Sequence, residues 1–284
     1  MDSMTRIESN SINHKNIYYI TDCYFVDWAI PITKHTKILY ATKITDVPHG
    51  PNIKIIPMDV RSCNNLYGDK RVAFEINKGA IDTLNDKCLF AIFMMEHFPD
   101  HIPTTVYLSR VLDSGEKIEY NNEYNKSIKL IEKPARGYAS IDVVLIETLE
   151  NTKPNIIVSE YIDHEEFYTG HIFVHDGHII KQIYFKGHTN GVLNYIQRGI
   201  IRDYVAVTEF ELGADTDIFS KIFTKLNYTG LVSTNFIIVN QKIIIFEINP
   251  RPGGSLIYND QYCSEFFQTI MDTFDHDLIN RNKN

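Results

Sequence analysis

Short apolar runs separated by polar turns dominate the beginning of the chain. Residues 16–21, 37–41 and 52–56 each have the pattern of a short buried β-strand, and Pro- and Gly-bearing turns separate them. With helical stretches in between, this alternation predicts a small α/β unit over about residues 15–83. No GxGxxG motif follows the first strand, so dinucleotide binding in this unit has little support.

The pattern becomes helical from Asn85 and stops before Pro99. Strand-like runs follow at residues 127–131 and 155–162. The length of the chain suits two compact units, or one domain with a smaller partner, and a second unit is expected to begin near residue 85.

Three further helices are predicted. Ser140 is a good N-cap for a helix over residues 141–150. An apolar stripe at helical spacing predicts a helix over residues 215–226 and a last one over about residues 264–278.

Two strand pairs lie in the second half of the chain. Asp176-Gly177 separates the apolar runs within residues 171–180, which is a strong cue for a β-hairpin. A second pair is predicted over residues 231–239 and 243–248, joined around residues 240–242.

The second strand of that later pair carries the most informative polar pattern. Strand alternation places Glu247, Asn249 and Arg251 on one face and puts Phe246 and Ile248 on the other, apolar side. A carboxylate, an amide oxygen and a guanidinium in one row suit an oxygen-ligand site for Mg²⁺ beside a cation for phosphate. The alternative is an ordinary polar strand face followed by a tight loop.

Register and the following loop extend this candidate site. If residues 240–242 form the connection, Val239 pairs with Ile243 and Asn235 lies opposite Glu247, adding another metal-facing oxygen. Residues 252–255 then offer free backbone N–H groups, as in an anion-binding nest.

Composition and charge narrow the class of protein. The 284 residues are 44% hydrophobic and 23% charged, which is typical of a globular protein, and 28 basic against 36 acidic residues give a net charge of −8. That balance disfavours a nucleic-acid binder. The first 16 residues contain no apolar signal segment, and no run is long enough to span a membrane, so a cytoplasmic protein without membrane contact is expected. The scattered cysteines are expected to be reduced thiols: Cys23, Cys63, Cys88 and Cys263.

Several motifs in order give the chain a resemblance to the ATP-grasp superfamily from about Asp86 to Ser255. The run ExNPRPGG over residues 247–254 resembles the family's metal-binding strand. Asp86-Lys87, which opens a helix ending in IPT at residues 102–104, resembles the family's first lysine segment. Residues 133–137 resemble the second lysine with its phosphate loop.

The resemblance implies a set of site residues. It implies ATP, with Mg²⁺ or alternatively Mn²⁺, and the following nucleotide-binding residues: Lys87, Lys133, Arg136, Ser140, Glu160, Tyr161, Ile162 and Glu166. It implies metal ligation by Glu247, Asn249 and Asn235, and catalysis by Arg251, Lys133, Lys186 and His188. Substrate contacts are implied for Arg202, Arg251, Gly253, Gly254 and Ser255.

Two departures from the family pattern bear on activity. Asn235 stands where many members carry an acid, so weaker Mg²⁺ binding is expected. The loop at residues 133–140 has one glycine where the family loop is richer, so the phosphate would depend more on Arg136 and Ser140.

Other polar groups have ordinary alternatives. The histidines at 164, 171, 175 and 178 could form a zinc site, but a solvated hairpin with titrating imidazoles explains them more simply. Lys186 and His188 follow the hairpin, where an ordinary loop is the alternative. Arg198 and Arg202 could bind a substrate carboxylate. Trp28 is expected in the core.

Together these features predict an α+β protein with an ATP-grasp fold of two α+β lobes, preceded by a small Rossmann-like α/β domain. The expected boundaries are 1–84 for the first domain and 85–284 for the second, with lobes 85–160 and 161–284. The implied function is a ligase that activates a small-molecule carboxylate as an acyl phosphate and joins it to an amine. The alternatives are a weak or inactive nucleotide-binding regulator, or phosphorylation of a carboxylate or bicarbonate without an amine acceptor. A homodimer is compatible with these features.

Overall fold

A computed structural model describes residues 16–21, 28–137, 142–149, 153–188 and 205–281. Within these ranges the chain forms thirteen strands in three sheets, together with eight α-helices. None of the described helices is long and apolar enough to cross a membrane.

The first sheet is parallel and has three strands in the order β2-β1-β3. They are β1 (Ile17–Thr21), β2 (Leu39–Ala41) and β3 (Ile53–Ile55), with helix α1 (Ala29–His35) before β2 and helix α2 (Val60–Asn65) after β3. The three strands predicted at the beginning of the chain are therefore confirmed. A Rossmann-like domain requires more than this sheet and stays a prediction.

The first sheet packs against the last helix, α8 (Asp260–Arg281). Tyr18 and Trp28 share one apolar core with Phe173 of the third sheet and Phe267 of the last helix. The Tyr18 hydroxyl also donates to the carbonyl of Met271 at 2.9 Å. Because the core crosses residue 84, the domain boundary drawn there stays a prediction.

The second sheet is antiparallel, in the order β5-β4-β8-β6-β7, and it follows helices α3 (Lys78–Asn85) and α4 (Lys87–His97). Its strands are β4 (Thr105–Val111), β5 (Lys117–Asn121), β6 (Leu130–Pro134), β7 (Val144–Ile146) and β8 (Ile156–Glu160).

One predicted helix is wrong. Residues 144–146, expected in a helix over 141–150, form strand β7, and Leu130 pairs with Ile146. The cause is the run Val143-Val144-Leu145-Ile146, since β-branched side chains pack better against a neighbouring strand than in a helix.

The third sheet is also antiparallel, in the order β11-β10-β9-β12-β13. Its strands are β9 (Glu166–His175), β10 (His178–His188), β11 (Val205–Val207), β12 (Gly230–Val239) and β13 (Lys242–Asn249). The helices of this part are α5 (Glu209–Leu212), α6 (Asp217–Leu226), α7 (Gly254–Ile257) and α8 (Asp260–Arg281). The predicted hairpin at Asp176-Gly177 is confirmed, and both residues have positive φ, as a tight turn requires.

The later strand pair has a shorter connection than expected. Val239 pairs with Lys242 rather than with Ile243, so the turn is only Asn240-Gln241. Both turn residues have positive φ, which matches the twist of a two-residue hairpin.

A β-bulge in β13 compensates for the shorter turn. Phe236 pairs with Ile245, but the next residue back, Asn235, pairs with Glu247. The predicted juxtaposition of Asn235 and Glu247 is therefore confirmed. The extra residue, Phe246, breaks the expected alternation.

Candidate active site

The first lysine of the site is held at a helix start. Asp86 is fully buried and caps α4 by accepting from the backbone N–H groups of Cys88 and Leu89 at 3.1 and 3.3 Å. Lys87 is the next residue, and its Nζ lies 3.5 Å from Glu247 Oε2. The same ammonium donates to the Gly137 carbonyl at 3.3 Å. Lys87 thus joins the second sheet's phosphate-loop candidate to the third sheet.

The second lysine approaches the same carboxylate from β6. Burial is the largest effect on Lys133 and, with repulsion from Lys87, it lowers the pKa of the Lys133 ammonium to about 8 against the attraction of Glu247. The Lys133 Nζ also lies 5.2 Å from the centre of the Phe246 ring, in a cation–π contact. The bulge therefore turns Phe246 toward the lysines instead of to the apolar side predicted for it.

Glu247 is the centre of this cluster. Its Oε1 accepts from the Asn235 Nδ2 at 2.8 Å and from the Asn249 Nδ2 at 3.1 Å. Burial alone would raise the pKa of Glu247, but Lys87, the Asn249 amide and two further cations lower it to about 2. The carboxylate is therefore ionised at neutral pH.

Asn235 faces Glu247 with its amide nitrogen. Its Oδ1 accepts from the Thr169 hydroxyl at 3.0 Å. In this conformation the Asn235 amide nitrogen donates to the Glu247 carboxylate, and the Asn235 oxygen points away from that carboxylate. Ligation of a metal by Asn235 stays a prediction and would require the amide to turn over.

Arg251 connects β13 with the first sheet. Its guanidinium lies 5.8 Å from the Trp28 ring centre and donates to the Pro252 carbonyl at 3.2 Å. Burial lowers the pKa of Arg251, whereas Glu247 and Asp59 raise it. Trp28 is buried as predicted, and with Asp59 it brings the N-terminal part of the chain to one wall of the site.

The loop after β13 folds back onto β9. The Gly253 N–H donates to His171 Nδ1 at 3.3 Å, and His171 Nε2 lies 2.7 Å from Ser255 Oγ. A Cβ on Gly253 would lie 2.8 Å from His171 Cε1, so only glycine permits this approach. The expectation of a freely available nest at residues 252–255 is wrong for Gly253, because His171 occupies its N–H; Gly254 and Ser255 begin α7 beside it.

The predicted adenine site lies where the chain passes from the second sheet to the third. Glu160 ends β8, and Tyr161 donates its N–H to the Lys129 carbonyl at 2.8 Å. The Ile162 carbonyl is bonded to His164 Nδ1 at 2.8 Å. Their roles toward a nucleotide stay predictions.

Glu166, the carboxylate predicted to bind the ribose, forms an ion pair with a lysine of β10. Glu166 Oε1 lies 2.6 Å from Lys186 Nζ. Lys186 is opposite Tyr168 in the sheet, whereas Asn235 is opposite Thr169, so alternation puts Lys186 and Asn235 on opposite faces. The structure therefore does not bring Lys186 to Glu247. Its catalytic role stays a prediction.

Some candidates lie wholly or partly outside the described residues. Arg136 is described, with its Nε 3.4 Å from Asp86 Oδ2, and the same oxygen takes a 2.6 Å contact from Arg110 Nε. His188 ends β10, but its side chain is outside the described part. The candidates wholly outside are Ser140, Arg198 and Arg202.

The histidines at 164, 171, 175 and 178, all of them described, form no metal site with their described neighbours. Among the described residues, no group of three or more His, Cys, Asp or Glu side chains is placed to hold a metal ion. The solvated alternative is nevertheless wrong for His171, which is fully buried. Burial, helped by Arg251, lowers the pKa of His171 to about 3.

The cysteines behave as expected where they are described. Cys63, Cys88 and Cys263 are free and buried, and burial raises the pKa of each thiol to about 12. Cys23 lies outside the described residues.

Sequence reasoning missed three side chains of the cluster: Thr169, His171 as a loop contact, and Phe246. The first two are polar residues that alternate on β9, whose other positions are almost all buried and apolar. Pairing of β9 with β12 sets Thr169 beside Asn235 and His171 beside Ser233. Only knowledge of that pairing could have connected them with Glu247.

Known proteins share the arrangement of this chain at the level of family and fold. Residues 84–255 match a family model described as an ATP-grasp domain. No curated protein sequence gives a significant match.

Several solved structures share the fold at low sequence identity. D-alanine–D-alanine ligase from Bacillus anthracis is 12% identical with a TM-score of 0.56, over 95% of this chain and 100% of that chain. N5-carboxyaminoimidazole synthetase from Staphylococcus aureus, solved with ADP, is 12% identical with a TM-score of 0.57, over 90% of this chain and 70% of that one. D-alanyl-alanine synthetase A from Vibrio cholerae is 12% identical with a TM-score of 0.55, over 93% and 99%. These likenesses establish the α+β fold predicted from the sequence.

Proposed function

Because this chain belongs to the ATP-grasp family, whose domain model matches residues 84–255, we propose that it is an ATP-dependent carboxylate–amine ligase. In the proposed reaction a substrate carboxylate is activated as an acyl phosphate and then joined to an amine, with release of ADP and phosphate. The substrates are small molecules.

The convergence of two lysines on Glu247 carries this proposal. Lys87 begins helix α4, which precedes the second sheet, and Lys133 lies on strand β6 of that sheet. Glu247 lies on strand β13 of the third sheet. Their charges are close enough to lower the pKa of Glu247 to about 2, against its burial. Cations gathered between two sheets around one carboxylate suit the phosphates of a nucleotide.

The donor set fits a magnesium ion that is shared with phosphates. Mg²⁺ in such sites uses one or two protein carboxylates or carbonyls, and phosphate oxygens and waters complete its shell. Glu247 and the Asn249 amide oxygen would hold it, with Asn235 as a third candidate. When bound, Mg²⁺ neutralises phosphate charge; Mn²⁺ has the same oxygen preference.

The chain's own residues support each step of the reaction. The substrate carboxylate forms a bond to the γ-phosphorus as the bond to the β-phosphate oxygen breaks, and Lys87 and Lys133 stabilise the negative charge on the phosphates. The amine nitrogen then bonds to the acyl carbon, phosphate leaves, and the amine proton passes to solvent. Arg251, held by Trp28 and Asp59, stabilises the transferred phosphoryl group or the substrate carboxylate.

In the proposal the second and third sheets separate as the nucleotide enters. The cavity between them, lined by Lys87, Lys133, Ile157 and Phe246 among others, holds only about 20 Å³. Ligand pockets hold roughly 300–1,000 Å³. In the proposal residues 160–162 form the hinge. The Glu160 side chain and the backbone of the next two residues receive the adenine, and Glu166 receives the ribose.

Trapping the activated acid tests the proposal. The full chain is incubated with Mg-ATP, hydroxylamine and pools of amino acids, and ADP and hydroxamate are measured together. Acid-dependent release of both in equal amounts is expected, because hydroxylamine attacks an acyl phosphate as an amine would. ADP release without hydroxamate would contradict acyl-phosphate formation.

A weak or inactive nucleotide-binding regulator is the second candidate. The orientation of Asn235 favours it, since its amide nitrogen, and not its oxygen, faces Glu247, the one carboxylate of the cluster within the described residues. A thermal shift with Mg-ATP without ADP release in any pool would support the regulator over the ligase.

A further inference from the structure

The histidine beneath the loop after β13 is placed to orient that loop. His171 lies at the middle of β9 and is fully buried, and its neighbours Ile172, Phe173 and Val174 on that strand are buried and apolar. Its two ring nitrogens contact two different residues of the loop, Gly253 and Ser255. A buried imidazole whose two nitrogens are both engaged is fixed in rotation as well as in position.

The contacts determine which nitrogen carries the proton. A backbone N–H can only donate, so His171 Nδ1 must accept from Gly253. A neutral ring then carries its proton on Nε2, which donates to Ser255 Oγ at 2.7 Å. The Ser255 oxygen is thus an acceptor toward His171, and its own proton is directed away from the ring.

Ser255 is only partly buried. Arg251, whose charge acts on His171, belongs to the same loop region. Arg251 and Ser255 both act on the same imidazole, and a guanidinium and an O–H donor are groups suited to the two oxygens of a carboxylate.

We infer that His171 is a positioning residue: it holds the loop at residues 252–255 against β9 and aligns the Ser255 hydroxyl to donate to the carboxylate of the substrate. This inference rests on the proposed function and adds to it the residue that prepares the carboxylate subsite. His171 itself does not touch the substrate.

Two isosteric substitutions separate the two bonds of the ring. The Asn side-chain oxygen is separated from Cα by the same number of bonds as His Nδ1. His171→Asn can therefore keep the hydrogen bond from Gly253 but loses the hydrogen bond to Ser255. The Gln amide nitrogen corresponds to Nε2, so His171→Gln can keep donation to Ser255. His175→Asn is the matched control, because His175 lies on the same strand and face at the hairpin end.

The test measures hydroxamate formation from the amino acid with the highest rate in the pools. His171→Asn and Ser255→Ala are each expected to raise KM for the acid about tenfold, the usual effect of one hydrogen bond to a charged group. KM for ATP should stay within about twofold in both. His171→Gln should restore most of the affinity, and the double variant should be no worse than either single one.

The outcomes separate this inference from the proposed function. If the wild-type protein turns over and Ser255→Ala leaves KM for the acid unchanged, the inference alone is overturned. This outcome is decisive even if His171→Asn does not fold. The inference alone is also overturned by a double variant whose effects add, or by a His175→Asn variant that matches His171→Asn. A wild-type protein that releases no ADP with any acid overturns both.

Discussion

The two faces of the third sheet use similar residues in different ways. Its cleft face carries Thr169, His171, Ser233, Asn235, Glu247 and Asn249 by register. Its helix face packs an aromatic core against α6, including Tyr168, Phe219, Phe223 and Phe236. Among the described residues, each face carries a carboxylate in an ion pair with a lysine: Glu247 on the first face and Glu166 on the second.

The surroundings of those two carboxylates differ. Glu166 is half exposed and forms a compact 2.6 Å pair with Lys186. Glu247 is less exposed, receives two amide N–H groups, and lies 3.5 Å from a lysine that also contacts the phosphate-loop candidate. A carboxylate that contacts groups from several different elements is more typical of a functional site than an ion pair within one hairpin.

The largest expected effect on kcat comes from neutralising the carboxylate of one face and then, separately, that of the other face. Glu247→Gln is expected to lower kcat about a thousandfold, because it removes the carboxylate that organises the lysines and would hold the metal. Glu166→Gln, the same change on the other face, should lower kcat less than about tenfold. ADP release measured under saturating Mg-ATP distinguishes the two.

Circular dichroism and the thermal midpoint serve as controls for that pair. Both variants are expected to keep the wild-type spectrum, since neither change removes apolar packing. Equal losses of kcat in the two variants would mean that the cleft face is not the site of the reaction.

The next effect concerns stability on the cleft face. Burial keeps His171 neutral with a pKa of about 3, whereas an unfolded histidine has a pKa of roughly 6.5. Between these values the unfolded chain binds the additional proton, so the stability that His171 confers is present above pH 6.5 and is lost as the pH falls toward 3. At pH 5 the loss is on the order of 2 kcal/mol.

Urea unfolding at pH 7 and pH 5 measures this loss. In His171→Gln the corresponding part of the pH dependence should disappear, while His175→Gln should keep it. A wild-type slope in His171→Gln would show that this imidazole is protonated in the native protein.

The strand pair that carries Glu247 was largely predictable, because its information is local. Alternation and a turn cue place Glu247, Asn249 and Asn235 together without knowledge of the rest of the fold. Even there the turn length was wrong, and the predicted register was right only because a bulge at Phe246 offsets the shorter turn. Local patterns do not reveal bulges, since the extra residue is defined by its partner strand.

Contacts set by pairing between distant strands could not be predicted. His171 meets Gly253 only because β9 neighbours β12 and the loop after β13 folds over both. The same limit explains β7, whose partner β6 overrides the helix expected from Ser140. The catalytic expectation for Lys186 depended on resemblance alone, which does not specify the face of a strand.

A third change tests whether a second acid on the cleft face strengthens the binding of Mg²⁺. Asn235→Asp adds a carboxylate opposite Glu247, so the Mg²⁺ concentration for half-maximal ADP release is expected to fall about tenfold, since ligand charge governs affinity for hard cations. Thr169→Val is the matched control, because it frees the Asn235 oxygen without adding charge. An unchanged or higher Mg²⁺ requirement in Asn235→Asp would remove Asn235 from the metal site.

The smallest expected effect belongs to the helix face. Lys186→Met breaks the pair with Glu166 but leaves the Tyr168 contact region apolar. If Glu166 receives the ribose, losing its partner should raise KM for ATP about threefold, in keeping with the small energies of exposed ion pairs, and kcat should stay within about twofold. Lys181→Met on the same strand is the control. A hundredfold fall in kcat for Lys186→Met would support its predicted catalytic role. It would also mean that the two faces act on one site, with the end of the strand turned into the cleft when the sheets close on the nucleotide.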